Sequence, residues 1–178
     1  MNNEEKIIFG NQWISIIETP RKFYFSQRKG KDSVAVFLLR KGDSEKEVLI
    51  RYQSLCIDNE ELPEGGFRLY PCPITGSVEN GEEFQITAKR EVLEEAGYDV
   101  DVSYLGKYVV GTQTNEICYI YFADVSNYHP SEALGDGSYF ESISQNKWHP
   151  ISFLLDCEYS ACSIGYLKLH QKGLCSAC

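Results

Sequence analysis

Glu94 and Glu95 follow Glu91 by three and four positions in the run KREVLEEAG. At about 100° per residue, that spacing sets the three carboxylates within an arc of about 100° on one face of a helix. Like charges so placed repel by roughly 0.2–0.5 kcal/mol per pair, so helix stability alone gives no reason to choose them. Clustered carboxylates are hard oxygen donors, and Mg2+ or Mn2+ is held through a few such groups together with water and substrate phosphates. The competing reading is a solvated acidic face that Lys89 and Arg90 partly neutralise.

The elements that must carry these residues follow from pattern. Good helix formers run from Glu83 to Ala96, and Gly97 stands where a helix often ends on a left-handed residue. Val92, Ile86, Leu93 and Ala96 fall opposite the glutamates, so the helix is expected to bury that side. Upstream, WISII (13–17), KFYFS (22–26), SVAVFLLR (33–40) and EVLIRYQ (47–53) read as consecutive strands between Pro, Gly and charged turns. The Pro- and Gly-rich stretch 61–73 reads as a loop leading to a short strand near Ile74. Runs 100–110 and 117–125 return to strand character, 126–145 reads as a long loop, and 147–150 as the end of a last strand. Ser160 is expected to cap a C-terminal helix over 161–171, with Gly173 just past its end. A helix interrupting a sheet in this way predicts an α+β fold, a mixed sheet with helices packed against it.

Composition narrows the function classes. With 178 residues, 43% of them hydrophobic and 13% aromatic, the chain is expected to fold as a single domain over 1–178. A formal net charge of −9 argues against a nucleic acid polymer or an anionic membrane as partner, and an anionic ligand then needs a local cation. No basic-then-apolar leader and no apolar stretch of about 18 residues is visible, which predicts a cytoplasmic protein. Seven cysteines, an odd number, predict reduced thiols. Cys157, Cys162, Cys175 and Cys178 are spaced near the pattern of structural Zn2+ sites. The helix expected among them, about 16 Å long, separates the sulfurs, so ordinary reduced cysteines are the favoured reading.

Around the glutamates the order is Gly76, five residues, Glu82, seven residues, then Arg90-Glu91-Val92-Leu93-Glu94-Glu95-Ala96-Gly97. This resembles the signature of the Nudix hydrolases, G-x5-E-x7-R-E-U-x-E-E-x-G-U, where U is a bulky aliphatic residue; only Tyr98 departs, at a position that packs. The resemblance implies a loop-helix-loop on an α/β/α sandwich with a mixed central sheet. It also implies divalent-metal-dependent hydrolysis of a nucleoside diphosphate linked to another moiety, by water attack at phosphorus. By motif position, Glu91, Glu94 and Glu95 would bind Mg2+ or Mn2+, and Gly76 would bring its carbonyl to the metal. Glu82 would be a further ligand or the charge partner of Arg90. Among the catalytic residues so implied, Arg90, Glu91, Glu94 and Glu95, the last is the first candidate for general base. Glu132, Asp136 and Glu141 are loop alternatives, each weighed against a solvated loop acid.

The runs NQWISIIETPRKFYF, DSVAVFLLR and VLIRYQ look like the ADP-ribose and nucleotide-sugar pyrophosphatase branch, extending the resemblance over 13–125. Gln113 stands near the place of that branch's downstream proline, and ELPEGG looks like its E-L-P-A-G run set too early. The branch implies a small-molecule nucleotide substrate, and homodimers are common in it. Substrate-binding residues stay unassigned, since Trp13, Tyr24 and Phe25 are read first as packing residues. Two other readings remain open: a non-catalytic nucleotide sensor or regulator on the same fold, and an enzyme acting on nucleoside triphosphates or dinucleoside polyphosphates.

Overall fold

The computed structural model describes residues 4–57, 62, 66–135 and 139–175. Strands β1 (Lys6–Gly10), β2 (Ile14–Glu18) and β3 (Tyr24–Arg28) form an antiparallel sheet in that order. A second, seven-stranded sheet is built from β4 (Ser33–Arg40), β5 (Glu47–Ser54), β6 (Leu69–Cys72), β7 (Ile74–Ser77), β8 (Ser103–Val109), β9 (Ile117–Asp124) and β10 (Gln145–Pro150). Its main path runs β10-β5-β4-β9-β8, with β6 beside β5 and β7 beside β4. Among the described pairings of this sheet β4–β9 is parallel and the others are antiparallel, so the sheet is mixed.

The alternation of β4 decides the layers. Val34, Val36 and Leu38 enter one apolar cluster, whereas Phe37 and Leu39 enter another, so both faces of this strand must be covered. Helix α1 (Phe84–Ala96) covers the first face through Ala88, Val92 and Ala96. A short helix α2 (Tyr139–Ile143) leads into β10. The second face is covered by a 3-10 turn at Ile151–Leu155 and helix α3 (Ser160–Gln171), through Leu154, Cys162, Tyr166 and Leu169. The result is the expected α/β/α sandwich around a mixed sheet. No described helix is long and apolar enough to cross a membrane.

Several expectations are corrected. The stretch read as loop over 61–73 contains β6, in which Pro71 lies opposite Tyr52. The proline is tolerated because, in the described residues, β6 has β5 as its strand neighbour, leaving the other edge free of a ladder. The long loop over 126–145 contains α2, and β1 precedes the first strand expected from sequence. Ser160 opens α3 rather than capping it; Tyr159 is the N-cap and makes no side-chain cap bond. Gly97 does end α1, at φ 72° with its amide on the Leu93 carbonyl. The inner face of α1 also differs: Ile86 is 53% exposed, while Thr87 and Glu95 are buried.

Candidate active site

Helix α1 and strand β7 approach so closely that a Cβ on Gly76 would overlap the Glu91 carboxyl. Glycine is therefore required for this carboxylate to lie over the strand. Arg90 gathers the outer acids. It grips Glu82 through Nε and Nη2, each at 3.2 Å, and its Nη1 donates to Glu91 Oε1 at 2.8 Å and Glu94 Oε2 at 3.0 Å. Glu82 also accepts from the Thr87 hydroxyl at 2.8 Å, so the structure places it as the partner of Arg90. These bonds hold Glu82 below the usual carboxylate range, the Arg90 bond first among them.

Glu95 faces inward, toward β5. Arg51 Nε stands 3.2 Å from its Oε1, and both side chains are under 10% exposed, at 7% and 9%. The Nε hydrogen is not aimed at that oxygen, so the contact is Coulombic rather than a hydrogen bond. Burial pushes the Glu95 carboxyl up to about 8 against the pull of Arg51, and pushes Glu91 up to about 7 against the pull of Arg90.

Gly76, Arg90, Glu91 and Glu95 border one pocket of about 760 Å³. Glu141, carried on α2, borders the same pocket and raises the Glu95 carboxyl further by its charge. Glu132 lies exposed in the loop after β9, and Asp136 falls outside the described residues. A further wall comes from the N-terminal sheet and its turns: Trp13 just before β2, Arg28 at the end of β3, and Lys29 and Gly30 after it. That wall is stitched in place where the Ser26 amide donates to the Gln113 carbonyl at 2.8 Å and Asn115 donates to Gln27 at 2.8 Å. Arg28 is pinned by Glu116 at 3.2 Å and by the Ser77 hydroxyl at 2.5 Å, while Lys29 stands 5.7 Å over the Trp13 ring. Arg28, Lys29, Arg51 and Tyr159 escaped the sequence reading as pocket or site residues. A basic pair, Arg28-Lys29, in so acidic a chain was the available signal for two of them.

The donor set suits a hard divalent cation. Glu91, Glu94, Glu95 and the Gly76 carbonyl offer only oxygen, and Glu95 Oε2 is buried with no hydrogen-bond partner. As they stand, the carboxylates are divided between Arg90 and Arg51, and among the described residues no three acidic, histidine or cysteine side chains converge as ligands. In the C-terminal cysteine region, the thiols of Cys157, Cys162 and Cys175 lie near the backbone carbonyls of Phe153, Pro71 and Tyr166, at 3.4, 3.9 and 3.8 Å. Cys157 and Cys162 are thereby core residues, and Cys178 falls outside the described residues.

A family model described as the NUDIX domain matches residues 29–160. None of the curated proteins matches the chain. Among solved structures, one titled as an ADP compounds hydrolase is similar at a TM-score of 0.59 and 16% identity, covering 96% of this chain and 94% of that one. The NUDIX domain of Shewanella oneidensis NrtR, complexed with ADP ribose, is similar at a TM-score of 0.58 and 14% identity, covering 79% and 86%. These two likenesses carry the fold, and the family match spans more than half of the sequence, including the Gly76–Gly97 motif. The chain belongs to the Nudix family.

Proposed function

We propose that this Nudix pyrophosphohydrolase cleaves a nucleoside diphosphate linked to another moiety, of the ADP-ribose or nucleotide-sugar type, into two phosphate-bearing products. The observation that carries the reading is the pocket that Glu91 and Glu95 of the motif share with Glu141, Trp13, Arg28 and Lys29, Glu94 lying outside its lining. Its volume of about 760 Å³ lies in the range that takes a nucleotide-sized ligand. The solved neighbours point the same way, one titled as acting on ADP compounds and one bound to ADP ribose.

Glu91, Glu94, Glu95 and the Gly76 carbonyl would hold Mg2+ or Mn2+, which supplies charge neutralisation of the diphosphate and a more acidic water. Arg28 and Lys29 offer donors to the anionic substrate, which the remainder of a chain of net charge −9 repels. Trp13, 64% exposed, offers a face on which a base can stack. Arg51 occupies the Oε1 side of Glu95, which favours Glu95 as a ligand and Glu141 as acceptor of the proton from the attacking water. Homodimerisation belongs to the same reading: β1 exposes Ile7, Ile8 and Phe9 together. Light scattering that gives the mass of one chain would remove it.

The test is incubation with Mg2+ and a panel of ADP-ribose, nucleotide sugars, dinucleoside polyphosphates and nucleoside triphosphates, with Glu94→Gln as control. Cleavage of ADP-ribose or a nucleotide sugar that is lost in the variant supports the reading. Preference for triphosphates or dinucleoside polyphosphates overturns the substrate class. Silence across the panel, with ADP-ribose still raising the melting temperature, overturns turnover in favour of a sensor.

A further inference from the structure

Arg51 sits within β5, paired with Asn146 of β10 on one side and Cys72 of β6 on the other. A buried guanidinium needs partners, and α1 supplies two from one residue. Arg51 Nη1 donates to the Glu95 backbone carbonyl at 3.3 Å, while Nε faces Glu95 Oε1 at 3.2 Å. That carbonyl belongs to the last turn of α1, where helix carbonyls lack an intrahelical donor. Asn146 Nδ2 completes it at 2.7 Å. Two cross-strand neighbours therefore clamp the same helix end, but only Arg51 also reaches the carboxylate. The Thr75 amide favours the charged carboxyl, yet the other oxygen, Oε2, is buried with no hydrogen-bond partner among the described residues, in a residue that borders the pocket beside Glu91 and Gly76. A buried carboxylate oxygen in that condition is costly until a ligand completes it.

We propose that Arg51 is a positioning residue that holds Oε1 of Glu95, so that Oε2 is presented to the cation in the pocket. The inference rests on the reading of Glu95 as a cation ligand. The fork of an arginine suits the task, since one planar group meets the carbonyl and the carboxylate of the same residue. Asn146 has a different part: it secures the helix end and makes no described contact with the carboxylate.

Mn2+ titration followed by electron paramagnetic resonance of the free ion, on the full chain, reads this directly. Arg51→Gln keeps a donor for the carbonyl and removes the charge from Oε1; Mn2+ binding is expected to weaken about 10- to 100-fold, as for other residues that orient a ligand. Asn146→Ala is expected to lower the melting temperature and leave Mn2+ affinity unchanged. Wild-type affinity in folded Arg51→Gln overturns the proposal, as does an equal loss in Asn146→Ala. Should Arg51→Gln fail to fold, the double variant Arg51→Gln/Glu95→Gln removes both buried charges and is compared with Glu95→Gln. If Arg51 acts through Glu95, the double variant binds Mn2+ as the single one does; a further loss overturns the proposal. Wild-type protein that binds Mn2+ yet cleaves nothing in the panel removes the proposed function alone, whereas wild-type protein that binds no Mn2+ removes both.

Discussion

Arg90 and Arg51 both neutralise carboxylates of α1, yet they do so in different surroundings. Arg90 is 31% exposed and shared among Glu82, Glu91 and Glu94, whereas Arg51 is almost fully buried and, among the described residues, pairs with Glu95 alone. The Arg90 pairs are half-buried and still reached by solvent, so each is partly screened, toward the roughly 0–1 kcal/mol of fully exposed pairs. Removing one partner of a buried pair costs about 3–5 kcal/mol, because the other charge is left in low dielectric. The outer web can therefore exchange partners when a cation arrives, while the inner contact is fixed when the chain folds. Burial, rather than the number of contacts, separates a replaceable counter-charge from a positioning one.

The largest effect should come from the inner pocket. Glu141→Gln is expected to lower kcat by about 10²- to 10⁴-fold, the usual worth of a general base, while Glu132→Gln, out in its exposed loop, leaves turnover unchanged. Steady-state rates on the cleaved panel substrate decide this, and equal losses would break the distinction between pocket and loop acids. Next comes the seam between the two sides. Gly76→Ala places a methyl where the Glu91 carboxyl lies, which should weaken Mn2+ about 10- to 100-fold and cost about 1–3 kcal/mol in chemical denaturation. Unaltered Mn2+ affinity would mean that Glu91 does not need its close approach to β7.

Acidity tests both sides without a mutation. Burial raises Glu91 to about 7 and Glu95 to about 8, above the ordinary value of 4.5 taken in the unfolded chain. Between those values the folded chain binds more protons than the unfolded one, so this stability is present below pH 4.5 and is lost as pH rises through 7 and 8. With EDTA present, the melting temperature should fall between about pH 5 and 8, by at least the 2–4 °C that about 1 kcal/mol makes in a domain of this size. Mg2+ should offset the fall, because it binds the deprotonated carboxylates. A melting temperature that holds level in EDTA would show that these two acids are not desolvated.

What the sequence made legible was local. The alternation of 33–40, the helix formers before Gly97 and the motif spacing each lie within one element, and each element formed where its pattern placed it. What stayed hidden depends on partners far along the chain. Glu95 looked solvent-facing because the counter-charges near it in sequence, Lys89 and Arg90, lie on the same helix; its partner Arg51 stands 44 residues away. With that charge paired, α1 turns Glu95 and Thr87 inward and leaves Ile86 outside, against the expectation from apolar residues alone. The wall of Trp13, Arg28 and Lys29 was hidden for the same reason, since the Ser26 hydroxyl and amide meet the Gln113 carbonyl across 87 residues. Strand β6 was masked by its own proline and the glycines before it.

The smallest expected effect belongs to the outer arginine. Arg90→Lys keeps the charge beside Glu82, Glu91 and Glu94 but loses the fork that grips both Glu82 oxygens. An ammonium at that position still neutralises the acids through solvent, so the stability loss should stay below about 1 kcal/mol. Denaturant midpoints at equal slope measure it, with Arg51→Gln as the inner counterpart. Glu82 would keep its Thr87 bond, so the start of α1 has a second anchor that Glu95, whose Oε2 has no partner, lacks at the other end. A loss for Arg90→Lys as large as that for Arg51→Gln would mean that the three-glutamate web, and not burial, sets the geometry of the carboxylates.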